Sequence, residues 1–235
     1  MDVGGYLDEF GSVAEPAGFL GGRIMETEAG PMMAWRREGS GQRVYLSAGI
    51  HGDEPAGPLG LLELMRAGVF GGDVDWTICP ALNPTGLRDG SRDTAAGIDM
   101  NRDYVKRRSP EVAAHAEWLE SRPAPELFLS LHEDWETSGF YFYEINLGTD
   151  RPGRARAILD AVGARVPIEP GRSIDDHEVR EPGWIHHAAE ADLPKLWPEA
   201  IFLAKMGCPL SFTFETPSSV LLDGRVAAQV AAVRA

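Results

Sequence analysis

The chain has 235 residues, a net charge of −14 and 43% hydrophobic residues, enough apolar material for one α/β domain spanning 1–235 with a sizeable core. So acidic a chain lacks the basic footprint that phosphate backbones require, and no apolar run approaches the roughly 20 residues of a membrane helix, so neither nucleic acid nor membrane is expected as a partner. Two cysteines, Cys79 and Cys208, are too few for a disulfide framework and read as buried free thiols. The opening Met1-Asp2-Val3-Gly4-Gly5-Tyr6 has neither the basic nor the apolar region of a secretory signal, which makes a cytoplasmic location the expectation.

In chain order, Gly22 to Glu28 and Met32 to Arg37 read as a strand pair around Gly30-Pro31, and Val44 to Ala48 as a third strand. Gly57 to Ala67 reads as a helix with inward-facing leucines. Strands at Trp76 to Ala81, Leu127 to Leu131, Phe140 to Asn146 and Ser211 to Glu215 then alternate with helices at Glu111 to Glu120, Ala155 to Ala164, Glu199 to Lys205 and Arg225 to Val233. Such alternation implies an α/β sheet covered by helices on both faces. Residues 166–198, rich in proline, glycine and charge, read as a long loop over the site.

Chemistry concentrates where strands run out. Ser47-Ala48-Gly49-Ile50-His51-Gly52-Asp53-Glu54 places His51 and Glu54 three residues apart in a glycine-containing turn after a β-branched and aromatic run. Imidazole and carboxylate suit Zn²⁺, and hydrolytic zinc takes three protein ligands. His132, in Leu127-Phe128-Leu129-Ser130-Leu131-His132-Glu133-Asp134, is the expected third. His187 and Glu190 repeat the same spacing, but Trp184 to Ala191 reads as a short helix, where positions i and i+3 share a solvated face and need hold nothing. Glu215, flanked by Phe212, Phe214 and Pro217 at a strand end, is a carboxylate costly to bury without a partner.

Together with Ala81-Leu82-Asn83-Pro84-Thr85-Gly86, Gly90-Ser91-Arg92 and Gly97-Ile98-Asp99-Met100-Asn101-Arg102, these segments resemble the zinc carboxypeptidase superfamily. The likeness is to its short branch of murein peptide amidases and the succinylglutamate desuccinylase and aspartoacylase group, and it covers roughly residues 43–220. The resemblance implies a mixed, largely eight-stranded sheet of the phosphorylase/hydrolase-like kind in a single zinc-hydrolase domain. It implies one zinc per chain on His51, Glu54 and His132, with the Asp99 carboxylate orienting the first histidine. It further implies that Arg92 polarises the scissile carbonyl and stabilises the oxyanion, that Asn101 and Arg102 hold the substrate's free carboxylate, and that Glu215 is the general base.

One departure stands out. The large carboxypeptidases carry a mobile tyrosine before the final strand, whereas residues 166–214 contain none, which leaves His177, Trp184, His186, His187, Lys195 and Trp197 as candidates to cap the substrate. The desuccinylases and aspartoacylases carry a further β-rich domain where this sequence ends soon after Glu215, which favours a metallocarboxypeptidase or peptide amidase acting on small peptides. Hydrolysis of N-acyl amino acids is the alternative reaction, and a zinc-binding protein without catalysis the alternative of another class; the latter needs neither Glu215 nor Arg92.

Overall fold

Two-residue alternation decides the architecture. In the computed structural model, which describes residues 1–235, eight strands form one mixed sheet in the order β1-β2-β4-β3-β5-β10-β6-β9. They are β1 (Leu20–Thr27), β2 (Gly30–Arg37), β3 (Arg43–Ala48), β4 (Asp75–Cys79), β5 (Leu127–Asp134), β6 (Tyr141–Asn146), β9 (Trp184–His187) and β10 (Leu210–Pro217), while β7 (Ser173–Ile174) and β8 (His177–Glu178) pair as a separate hairpin. The helices are α1 (Val3–Ala14), α2 (Ala56–Arg66), α3 (Pro84–Asp89), α4 (Pro110–Glu120), α5 (Pro152–Gly163), α6 (Glu199–Lys205) and α7 (Leu222–Arg234).

Successive side chains of a strand point to opposite faces, and the apolar ones sort accordingly. Leu129, Leu131, Phe140, Phe142, Phe212, Phe214 and Trp184 face a large core shared with α1, α2, α5 and α7. Tyr45 and Phe128 face a smaller core closed by Val112, Ala116 and Leu119 of α4 and by Phe202 and Leu203 of α6. Each fully buried aromatic contributes on the order of 2 to 3 kcal/mol of burial. On the strands β5, β10, β6 and β9, the side of the sheet away from the large core carries polar groups instead: Ser130 and His132, Thr213 and Glu215, Tyr141 and Tyr143, and His187. That face is the floor of a cavity.

The expected mixed eight-stranded sheet with helices on both faces is the observed fold. Several elements differ from the sequence reading. Trp184 to Ala191 is not a short helix: its first four residues form β9, parallel to β6, with Phe142 opposite Trp184 and Ile145 opposite His187. Trp184 and Ile185 are buried on opposite faces, a strand's pattern. The span 166–198 is accordingly more than a loop, since it holds the β7–β8 hairpin and an edge strand. Helix α1, not anticipated, is capped by Asp2, whose carboxylate accepts from the Gly5 N–H at 3.1 Å, and buries Val3, Tyr6, Leu7 and Phe10.

Candidate active site

The first metal-ligand candidates depend on a sharp exit from β3. Gly49 adopts φ 65°, a left-handed conformation that glycine takes without penalty. Gly52 lies so close to α3 that a Cβ there would meet the Gly86 carbonyl carbon at 1.8 Å, and its N–H donates to the Ser91 carbonyl at 2.9 Å. Asn83 explains the Asn-Pro segment: its side-chain oxygen caps α3 by accepting from the Gly86 N–H at 2.9 Å, and its amide nitrogen reaches the Ile50 carbonyl at 3.4 Å. The loop that carries His51 and Glu54 is thus clamped against the helix start behind it.

His51, Glu54 and His132 come together, all three buried. His51 Nδ1 is 2.6 Å from Glu54 Oε1, His132 Nδ1 is 2.9 Å from Glu54 Oε2, and one ligating atom from each lies within 4.8 Å of the others. His51 Nε2 faces Asp99 Oδ1 at 3.1 Å. An imidazole that donates its Nε2–H to a carboxylate keeps the Nδ1 lone pair for a ligand. Two nitrogens, one carboxylate oxygen, burial and an outer carboxylate form a donor set that fits a divalent transition metal. Burial works to lower the His51 pKa, but the Glu54 charge and the hydrogen bonds with Asp99 and Glu54 outweigh it and lift the pKa to about 9. Glu54 is the mirror case: burial raises it, and the neighbouring histidines bring it down to about 2.

Arg92 joins this cluster. Its Nε donates to Asp99 Oδ2 at 3.1 Å and its guanidinium approaches Glu54 Oε1 at 3.5 Å, so Asp99 holds both His51 and Arg92. Arg102 does not pair with Asp99 in a local bridge; it donates to the Asn101 carbonyl at 2.9 Å and lines the cavity. The Asn101 side-chain oxygen accepts from the Glu199 N–H at 2.9 Å, which leaves its amide N–H groups as the free donors at the cavity wall. Glu215, half-buried on β10, is the register partner of His132 on β5. Its pKa is raised first by burial and then by the charges of Glu54 and Asp134, with Arg92 and Arg102 opposing.

All eight residues singled out in the sequence meet at one cavity or, for Asp99, directly behind it; the cavity is about 530 Å³ in volume. Further lining residues were not singled out in the sequence reading. Tyr141 donates its hydroxyl to Asp134 at 3.1 Å, Tyr143 lies beyond it on the same strand, and Trp135 stands exposed at the rim. The alternation Phe140-Tyr141-Phe142-Tyr143, apolar against polar-tipped aromatics, is the signal that carried two of them. Of the capping candidates, Trp184 is buried in the core against Phe142 and covered by Arg180, whereas His177 and His187 line the cavity. His187 and Glu190 do not pair: Glu190 bonds Lys205 at the surface. No helix is long and apolar enough to cross a membrane.

The profile of the succinylglutamate desuccinylase/aspartoacylase catalytic domain matches residues 40–168, more than half of the chain. Carboxypeptidase 2 of Trichophyton tonsurans is 31% identical over 101 residues, 39% of this chain but only 18% of the fungal protein. Among solved structures, a candidate metallopeptidase of Shewanella denitrificans OS217 superposes with a TM-score of 0.85 at 24% identity, covering 97% of this chain and 86% of that one. A metallo-carboxypeptidase of Pseudomonas aeruginosa, bound to (2-guanidinoethylmercapto)succinic acid, superposes with a TM-score of 0.62 at 20% identity over 94% of this chain and 67% of its own. The two structures share the fold, and the profile match carries the rest: the chain belongs to the succinylglutamate desuccinylase/aspartoacylase catalytic-domain family.

Proposed function

We propose that residues 1–235 act as a single catalytic domain that hydrolyses an amide or peptide bond next to a free carboxylate, with one catalytic zinc on His51, Glu54 and His132. The observation that carries this reading is the juxtaposition of Glu215 with His132 on neighbouring parallel strands, with Arg92 and Arg102 opening onto the same cavity. When bound, zinc supplies Lewis acidity at the scissile carbonyl and brings the pKa of water toward about 7. Glu215 takes the proton of the attacking water and passes it to the leaving amine. Arg92, aimed by Asp99, donates to the oxyanion as it develops. Asn101 and Arg102 grip the substrate carboxylate, which a chain of net charge −14 would not attract from a distance. The substrate is a small peptide or an acyl-amino acid.

Family membership favours the second of these, a deacylase of N-acyl amino acids, and the partial identity to a fungal carboxypeptidase favours the first. A turnover screen of zinc-loaded protein on C-terminal peptides, γ-linked cell-wall peptides and N-acyl amino acids separates them. A guanidinium grips a carboxylate bidentately as an ammonium cannot, so Arg102→Lys should lower kcat/KM on the best free-acid substrate about tenfold or more, and amidating that carboxylate should remove most of the difference. Equal cleavage of amidated and free-acid peptides by the unaltered protein would refute the carboxypeptidase form. Turnover on none of the three classes with zinc bound would leave a zinc-binding protein without catalysis.

A further inference from the structure

Opposite the His51–Glu54–His132 cluster, the same cavity is lined by a second group, His177, His187 and Asp192. They come from three different elements: His177 opens β8, His187 ends β9, and Asp192 lies in the segment leading to α6. His177 Nε2 is 3.6 Å from Asp192 Oδ2, His187 Nε2 is 3.4 Å from Asp192 Oδ1, and the two imidazole centroids are 4.8 Å apart. These nitrogen–oxygen separations are long for hydrogen bonds. The two nitrogens face different oxygens of one carboxylate, and one ligating atom of each residue lies within 4.8 Å of the others, a gap that an ion bound at 2.0–2.1 Å, with tetrahedral edges of about 3.4 Å, would draw in.

The surroundings orient His187 and brace both rings. His187 Nδ1 lies 2.5 Å from the Ala188 carbonyl, which can only accept, so Nδ1 is the donor there and Nε2 is the ring nitrogen left facing Asp192. Tyr143 packs edge-on against both rings at 5.6 and 5.8 Å and donates its hydroxyl to Asp175 at 2.8 Å, tying the sheet to the β7–β8 turn. That turn runs through Asp175 and Asp176 at φ 49° and 62°, the tight hairpin geometry that places His177 directly after it.

We propose that His177, His187 and Asp192 form a second metal site, for a divalent transition ion of the zinc class, on the wall of this cavity. Two imidazoles and a carboxylate select against magnesium and calcium, which take oxygen ligands. Three protein ligands leave a coordination position free for an oxyanion of a molecule in the cavity. The site is independent of the hydrolase reading, and its test reads metal rather than turnover.

Chelator-stripped protein titrated with Co²⁺, followed by calorimetry and by the visible d–d bands, should take up two ions per chain, and His51→Ala/His132→Ala protein should keep one. Adding His187→Ala to that background, or separately Asp192→Asn, should weaken the remaining ion by more than the roughly 10- to 100-fold that loss of an outer partner costs. Because Asp192 is exposed in a connecting segment, Asp192→Asn in otherwise unaltered protein is the control against misfolding, and it should lose the second equivalent while keeping the first. Uptake of a single ion by unaltered protein, or a second ion indifferent to His177, His187 and Asp192, would overturn the proposal.

Discussion

Glu215, half-buried, and Glu199, fully buried, are two carboxylates in different settings. Glu215 faces the cavity, and if it transfers the proton, Glu215→Gln should lower kcat by about 10²- to 10⁴-fold while metal content and melting temperature stay unchanged. Loss of zinc instead would make Glu215 a ligand. Glu199 lies under the sheet, accepting from the Tyr45 hydroxyl at 2.9 Å and the Ser47 hydroxyl at 2.7 Å. Burial raises its pKa to about 7 against the two hydrogen bonds that lower it. A carboxyl that is more basic folded than unfolded favours the native state at low pH, so stability should fall as pH rises from about 4.5 through 7, by something like 3 kcal/mol. Glu199→Gln, the neutral isostere, should flatten that slope in melting curves taken between pH 5 and 8; an unchanged slope would mean that Glu199 ionises freely. At this scale the sequence was readable where a residue type is rare at a strand end, as with His51, His132 and Glu215. It was opaque for Tyr141 and Tyr143, whose place depends on which strand lies beside which.

Among elements, the turn after β3 is the one that tolerates least. Gly52→Ala would drive a methyl into the Gly86 backbone, and backbone cannot rotate away as a side chain can. The expected cost is about 3 kcal/mol, a drop in melting temperature on the order of 6 to 12 °C, together with weaker metal binding because His51 and Glu54 flank the displaced residue. Melting within 2 °C of the parent would show that the two loops part easily. Elements with sustained periodicity were legible: α6 was bounded as Glu199–Lys205 from sequence, and β5, β6 and β10 to within a few residues. Two others were hidden for physical reasons. In α1, Gly4, Gly5 and Gly11 depress helix propensity, yet Gly11 is there because the Trp35 ring comes to 2.8 Å of where a Cβ would sit. In β9, the alanines beyond His187 read as helix, while pairing with β6 decides for strand, a tertiary choice that local sequence does not encode.

For the molecule as a whole, the proposed metal site joins segments far apart in the chain, since Glu54 holds His132 from 78 residues away. An ion bound there therefore stabilises the fold by mass action. At a free zinc concentration 100 times Kd the gain is about 2.7 kcal/mol, so chelation should lower the melting temperature by roughly 5 to 11 °C, and His132→Ala should abolish the difference. A melting curve indifferent to chelator would contradict a preformed site.

The sheet order has a consequence for how unevenly the cavity floor holds its shape. Strand β10, with Glu215, is bonded along both sides, parallel to β5 and antiparallel to β6, whereas β9 is bonded to β6 alone and the β7–β8 hairpin stands outside the sheet with two residues in each strand. In native-state amide hydrogen exchange, residues 212–216 should exchange only when the whole chain unfolds, and residues 173–178 through local openings of far smaller free energy. Equal protection of both segments would contradict this. The floor thus divides into a stiff half around His132 and Glu215, held by strands paired on both sides, and a half around His177 and His187 that opens more readily.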